Sequence, residues 1–228
     1  SSIVILSFLT QYASSQIPSN LIIEPGFKIS IFSHDLDSPR QMAEGANGTI
    51  FVGQRSGQIL ALLDSDSNGQ VDSRRVIADN LTYSTGVSIF DGDLYFSEIN
   101  KIWKITNIES WLEKNSSGSP EKILVVDDLP TDTWHGWKWL QHDLNGEIYT
   151  NVGAPCNVCL LENPRYASIL KFSNGKWEYI AKGVRNSVGF DFHPTTQKLY
   201  FADNGRDWLG DDSPSCELNR VDQDGLFY

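Results

Sequence analysis

The chain has 228 residues, 40% of them hydrophobic and 11% aromatic, and a formal net charge of -11. This length and apolar content can bury a substantial core, whereas the acidity and the lack of clustered Lys and Arg exclude nucleic acid as a partner. No apolar run reaches the roughly 18 residues of a spanning helix, so no membrane span is expected.

In chain order, Ile3 to Leu9 is a short apolar core followed by the small, polar stretch Gln11 to Gln16. It reads as a signal-peptide remnant or a disordered N-terminus over residues 1–20, with an N-terminal strand as the alternative. Residues 21–228 form the folded unit. Sequons at Asn47, Asn80 and Asn115, each in or beside an expected turn, agree with a secreted, extracellular glycoprotein.

Within that unit one phrase recurs, a small or polar residue, a variable one, an aliphatic and an aromatic: Gly48 to Phe51, Gly92 to Tyr95, Gly146 to Tyr149 and Gln197 to Tyr200. Successive copies lie about 45 to 55 residues apart, a propeller-blade period. Turn-ended apolar runs precede the phrase, as in Val87 to Asp93 and Phe190 to Thr196. Alternating runs follow it at Ile59–Leu63, Ile102–Thr106, Ser168–Phe172 and Glu217–Val221. A fourth, outer strand is expected at Phe27–Phe32, Val76–Ala78, Leu124–Asp127 and Trp177–Ile180, and Ile108–Lys114 reads as a short helical insert. The predicted fold is all-β: four four-stranded blades of a β-propeller. A β-sandwich is the alternative.

Two local motifs keep more than one reading. Asp64 to Asp72 has alternating oxygen ligands and the Gly of a calcium loop, but Arg75 stands where a bidentate Glu belongs; a polar hairpin tip explains the same residues. Cys156 and Cys159 allow a local disulfide, a redox pair or half a zinc site, and Cys216 is left over.

The second half concentrates polar, Gly-rich, aromatic loops: Leu129–Lys138, Val152–Cys159, Gly183–Phe190 and Asp203–Asp212. In a propeller such strand ends converge on the central channel. The stretches Asp132–Lys138, Cys156–Cys159, Arg185-Asn186 and Asp203–Asp212, followed by Glu217-Leu-Asn219, resemble the quinoprotein glucose/sorbosone dehydrogenases, nearest the sorbosone and fungal pyranose dehydrogenase branch. The resemblance spans roughly Pro25 to Tyr228 and implies a six-bladed propeller using pyrroloquinoline quinone (PQQ) and calcium, of which about four blades are present. On that pattern the sequence is expected to be a fragment, inactive by itself, because the family's later blades bring the cations that hold the cofactor's carboxylates.

The resemblance also implies roles. His135 matches the family's general base, a group that titrates near neutrality and takes the substrate hydroxyl's proton as hydride leaves for the quinone. Arg185 matches the cation facing the quinone oxygen, and Asn186 the neighbouring amide that binds the cofactor. For calcium, Gly205 and Arg206 stand where the family has Gly-Pro, with Asp203 nearby. Trp134 is expected to stack on substrate. The implied activity is oxidation of a sugar or related polyol or aldehyde. A non-catalytic recognition propeller of the hedgehog-interacting type and a calcium-dependent lactonase are the alternatives.

Overall fold

A computed structural model describes residue 17 and residues 20–114 and 118–228. The leader-like segments and the Asn115 sequon lie outside the described residues.

The repeated phrase builds four sheets. Blade 1 runs β1 (Pro39–Glu44), β2 (Ile50–Gln54), β3 (Gln58–Leu63) and β4 (Ser73–Ala78), each antiparallel to the next. Blade 2 repeats this with β5 (Val87–Phe90), β6 (Asp93–Ser97), β7 (Ile102–Ile105) and, after helix α1 (Ile108–Glu113), β8 (Ile123–Val126). Blade 3 comprises β9 (Leu140–His142), β10 (Ile148–Val152), β11 (Ser168–Ser173) and β12 (Lys176–Lys182). Blade 4 has β13 (Phe190–Phe192), β14 (Leu199–Asp203) and β15 (Glu217–Arg220); the last strand, β16 (Leu226–Phe227), crosses back and pairs parallel with β12. The chain is thus an all-β structure of four blades arranged as a β-propeller.

The phrase has a backbone cause. Its first residue takes positive φ in all four copies: 78° at Gly48, 80° at Gly92 and Gly146, and 55° at Gln197. The turn into each second strand needs the left-handed region, which Gly enters at no steric cost and Gln does not.

Side-chain alternation explains the stacking. Along β2, Phe51 packs towards blade 2 with Leu94, Phe96 and Ile105, while Val52 faces away with Leu60 and Leu62. A second cluster joins Ile102 and Val126 of blade 2 to Leu140, Ile148 and Leu170 of blade 3. A third joins Ile169 and Ile180 of blade 3 to Phe190, Leu199 and Phe201 of blade 4. The apolar cores therefore lie between successive blades.

Two expectations are corrected. Phe27–Phe32 forms no strand: β1 holds the inner place of blade 1 and β4 the outer, so its sheet is complete without that segment. Phe32 instead packs on the outer Val52 cluster. Four strands per unit also fails at both ends of the second half, where blade 3 has five strands and blade 4 three.

The inner strands are fastened to one another by Gln41. Only 4% exposed, it accepts from Val87 N (3.1 Å) and Leu140 N (2.8 Å) and donates to Leu140 O (2.6 Å). One side chain thereby links blades 1, 2 and 3, and satisfies backbone groups that would otherwise be costly to bury.

Candidate functional site

Antiparallel pairing puts the start of each inner strand beside the end of the second strand, as Pro39 lies opposite Gln54 and Phe190 opposite Phe201. The loops entering β9 and β13 and those leaving β10 and β14 therefore open on one face. These are the four loops singled out by composition.

His135 lies in the loop before β9, at φ 50°. Its Nδ1 is 2.8 Å from Ala154 O, and a carbonyl only accepts, so Nδ1 carries the proton and Nε2 the lone pair. Trp134 Nε1 donates to that lone pair at 3.1 Å, its ring edge-on to the imidazole and 45% exposed. Burial holds the imidazole pKa below its ordinary value; the Ala154 bond opposes this and the Arg185 charge adds to it. His135 is thus kept neutral, in the tautomer a base requires.

Arg185 lies in the loop before β13. Its Nε donates to Asn157 O (3.2 Å), Nη1 to Asn204 O (3.1 Å), and Nη2 to Asn157 Oδ1 (2.7 Å) and Asp207 (3.1 Å). Four of its five N–H groups are placed by these bonds, and the guanidinium is fixed. Asn157 sits inside the Cys156–Cys159 disulfide loop, so the pair forms a local disulfide that borders the Arg185 clamp; Cys216 is free and exposed.

His135 and Arg185 share a support. Ala154 N donates to Arg185 O at 2.8 Å, while Ala154 O receives His135. Beside it, a Cβ on Gly153 would fall 2.5 Å from His135 Cβ and 3.4 Å from Arg185 O, so only Gly lets the two loops close this tightly.

Asp203 binds backbone: Oδ2 accepts from Arg185 N (2.9 Å) and Oδ1 from Asn186 N (2.7 Å). Burial raises its pKa and these two bonds oppose the rise. Gly205 is half-buried beside Pro214, and Arg206 is exposed. Asp203 is the one carboxylate of this set, and each of its oxygens accepts one backbone amide. Among the described residues, carboxylates gather instead at Asp64, Asp66 and Asp72, within 4.8 Å of one another at the β3–β4 hairpin tip. There Asp64 and Asp66 accept from Asn68 and Gly69, as a hairpin tip requires, and Arg75 stacks over Trp111.

Sequence reasoning missed Gln41, Thr85, Lys138 and Asn157. Thr85 Oγ1 donates to Lys138 O and accepts from Lys138 N, and Asn151 holds Trp139 N and Trp137 O, which fixes the segment behind His135. For Gln41 and Thr85 no local motif signals the role, because their partners lie on other blades. Lys138 and Asn157 stood inside motifs already singled out.

Fold and site together define a propeller segment whose one face carries a half-buried, neutral imidazole and a fixed guanidinium. No family model matches the chain. It is 32% identical over 229 residues to an uncharacterized protein of Borreliella burgdorferi, covering 96% of this chain and 58% of that protein. Among solved structures it is similar to a Trichoderma reesei protein of carbohydrate-active enzyme family AA12 (TM-score 0.73, 20% identity, 88% of this chain and 55% of that one). It is also similar to the PQQ domain of pyranose dehydrogenase from Coprinopsis cinerea (TM-score 0.70, 16% identity, 82% and 51%). A third is the PQQ-bound aldose sugar dehydrogenase of Streptomyces coelicolor (TM-score 0.61, 17% identity, 82% and 60%). The chain spans less than two thirds of each of these proteins.

Proposed function

We propose that this chain supplies the base and cation of a PQQ-dependent dehydrogenase that oxidises a sugar or a related polyol or aldehyde, in the sorbosone and fungal pyranose branch that its motifs resemble. The observation that carries the reading is the joint suspension of His135 and Arg185 from Ala154, which brings a neutral imidazole and a residue with a fixed guanidinium together on one face. PQQ fits this grouping. Arg185 keeps one unassigned N–H, and Asn186 Oδ1 is buried without a partner among the described residues, so both can turn a polar group to the cofactor.

When bound, PQQ supplies the electrophilic carbonyl carbon that takes the hydride. His135 Nε2 accepts the substrate hydroxyl proton once Trp134 has given up its hydrogen bond, and Arg185 places positive charge where negative charge develops. The exposed Trp134 ring offers a face for a sugar. No step is routed through calcium. A secretory route is part of the proposal, supported by the Cys156–Cys159 disulfide and by exposed sequons at Asn47 and Asn80.

The test is reconstitution of the intact polypeptide with PQQ, with and without calcium, following dye reduction across a sugar panel. Turnover that requires PQQ and falls by about 10²–10⁴ in His135→Ala supports the reading. A folded protein that binds no PQQ sinks it and favours the recognition propeller. The lactonase alternative needs clustered carboxylates at the mouth, and the described residues gather theirs elsewhere.

A further inference from the structure

Of the seven tryptophans, only Trp134 and Trp208 are exposed, and each stands one residue from a member of the site: Trp134 beside His135, Trp208 beside Asp207. The other indoles are engaged. Trp103, Trp139 and Trp177 donate to Glu98, Phe190 O and Asp128, while guanidinium groups stack over Trp111 and Trp137. Trp208 is 82% exposed and makes no hydrogen bond or ring contact among the described residues. Its φ is 70°, in the left-handed region that a bulky side chain rarely enters. The loop beneath it is nonetheless fixed. Asp207 Oδ2 accepts from Arg185 Nη2 at 3.1 Å, and Asp207 N and O bond both ends of the Asn157 amide at 2.8 and 3.2 Å. A Cβ on Gly205 would fall 2.7 Å from the Pro214 ring, so the two arms of the loop are packed together. Asp207 also acts on His135: burial holds the imidazole pKa down, and the Asp207 charge opposes it.

Neither the exposed ring nor the left-handed backbone stabilises the fold, and strain kept at one residue of a site loop marks a contact made to a ligand. We propose that Trp208 is a sugar-stacking residue that holds a second ring of the substrate, so that the substrate is a disaccharide or a longer glycan. The reacting ring belongs at His135 Nε2, where Trp134 already stands; Trp208 touches neither, so a ring on its face is a neighbouring one. The surroundings suit a sugar. A flat apolar face takes the C–H side of a pyranose, and Arg206, Asp207, Asp211 and Asp212, all exposed in the same loop, can bond its hydroxyls. A protein partner would need a wider apolar patch, whereas Leu209 is the one other large apolar residue between Arg206 and Asp212. The substrate class rests on the function proposed above; the saccharide contact does not.

The intact, isotope-labelled protein is titrated with D-glucose, maltose and cellobiose while its indole N–H signals are followed by NMR; the signal missing from Trp208→Phe is that of Trp208. This signal is expected to shift and saturate with at least one disaccharide and to stay in place with D-glucose. Trp208→Ala weakens that disaccharide about three- to tenfold, and Trp208→Phe, which keeps a ring, recovers most of the affinity. Trp208→Gly relieves the backbone, so it loses the same binding yet unfolds at the wild-type urea concentration or above. In the PQQ-loaded enzyme, Trp208→Ala lowers the ratio of kcat/KM for the disaccharide to that for D-glucose by the same factor. The inference is overturned if no saccharide moves the Trp208 signal, or if Trp208→Ala keeps the disaccharide affinity. It is overturned equally if Trp208→Gly unfolds at clearly lower urea, which makes the ring structural. Disaccharide binding at Trp208 without PQQ-dependent turnover supports the contact and sinks the dehydrogenase; PQQ-dependent turnover with an unmoved Trp208 signal does the reverse.

Discussion

His135 and Arg185 hang from opposite polar groups of the same residue: Ala154 O takes the imidazole Nδ1–H, and Ala154 N donates to Arg185 O, each at 2.8 Å. Neither residue can shift without disturbing the other's support. Gly153→Ala drives a methyl to 2.5 Å from His135 Cβ and 2.7 Å from His135 O, backbone and near-backbone atoms that cannot swing aside. We expect a loss of about 1–3 kcal/mol in urea unfolding and displaced NMR signals for both the His135 ring and the Arg185 amide. Movement of one without the other would refute the shared support.

His135 should titrate below the ordinary imidazole range. Its folded-state pKa is depressed, so the unfolded chain takes the proton first as pH falls. In the reconstituted enzyme the acid limb of kcat/KM then lies below about 6.5. Trp134→Phe removes the N–H that occupies Nε2 and should move the limb upward. An unmoved limb would mean that the indole bond does not bear on the base.

A larger pH effect belongs to His142, which plays no part in the mouth. Burial lowers its pKa to about 4, with Asp143 opposing, and it is 8% exposed between Phe90 and Tyr95. The stability this confers is complete above about pH 6.5 and is lost as pH falls towards 4, roughly 3 kcal/mol in all. His142→Gln should lose that much less between pH 7 and 4 than the wild type; parallel stability curves would contradict it.

Gln41→Leu leaves Val87 N, Leu140 N and Leu140 O without their partner inside the structure. Loss of about 3 kcal/mol or more is expected, with faster hydrogen exchange at Val87 and Leu140 on two different blades. Exchange that quickens at only one of them would show that the side chain does not link the three inner strands.

Gln197→Gly places the unhindered residue at φ 55°, as in the other three blades, and should stabilise the protein by about 1 kcal/mol in thermal or urea unfolding. A destabilised variant would show that the Gln197 side chain, which donates to Pro194 O, outweighs the backbone gain.

The same phrase explains how much of the fold was legible in the sequence. A left-handed turn followed by an aliphatic–aromatic strand is a local requirement, so the blades and the Ile108 helix stand where the residues place them. Phe27–Phe32 alternates as well as any strand, but alternation does not reveal whether a sheet edge is vacant. His135 and Arg185 were legible because their motif carries them. The Ala154 support and the Gln41 fastening were not, since each exists only when loops from different blades meet. Asp203 shows the same limit: the resemblance placed it near a metal, and the amides of Arg185 and Asn186 that it anchors could not be read from its own stretch of sequence.

The Gln41 fastening also sets a schedule for synthesis. Its partner Leu140 lies 99 residues downstream, so at translation speeds of about 5–20 residues per second the nascent blade 1 waits roughly 5–20 s before its inner edge can be secured. Val87, 46 residues downstream, supplies the first of its partners about halfway through that interval. Blade 1 is therefore synthesised well before the strand that completes its fastening.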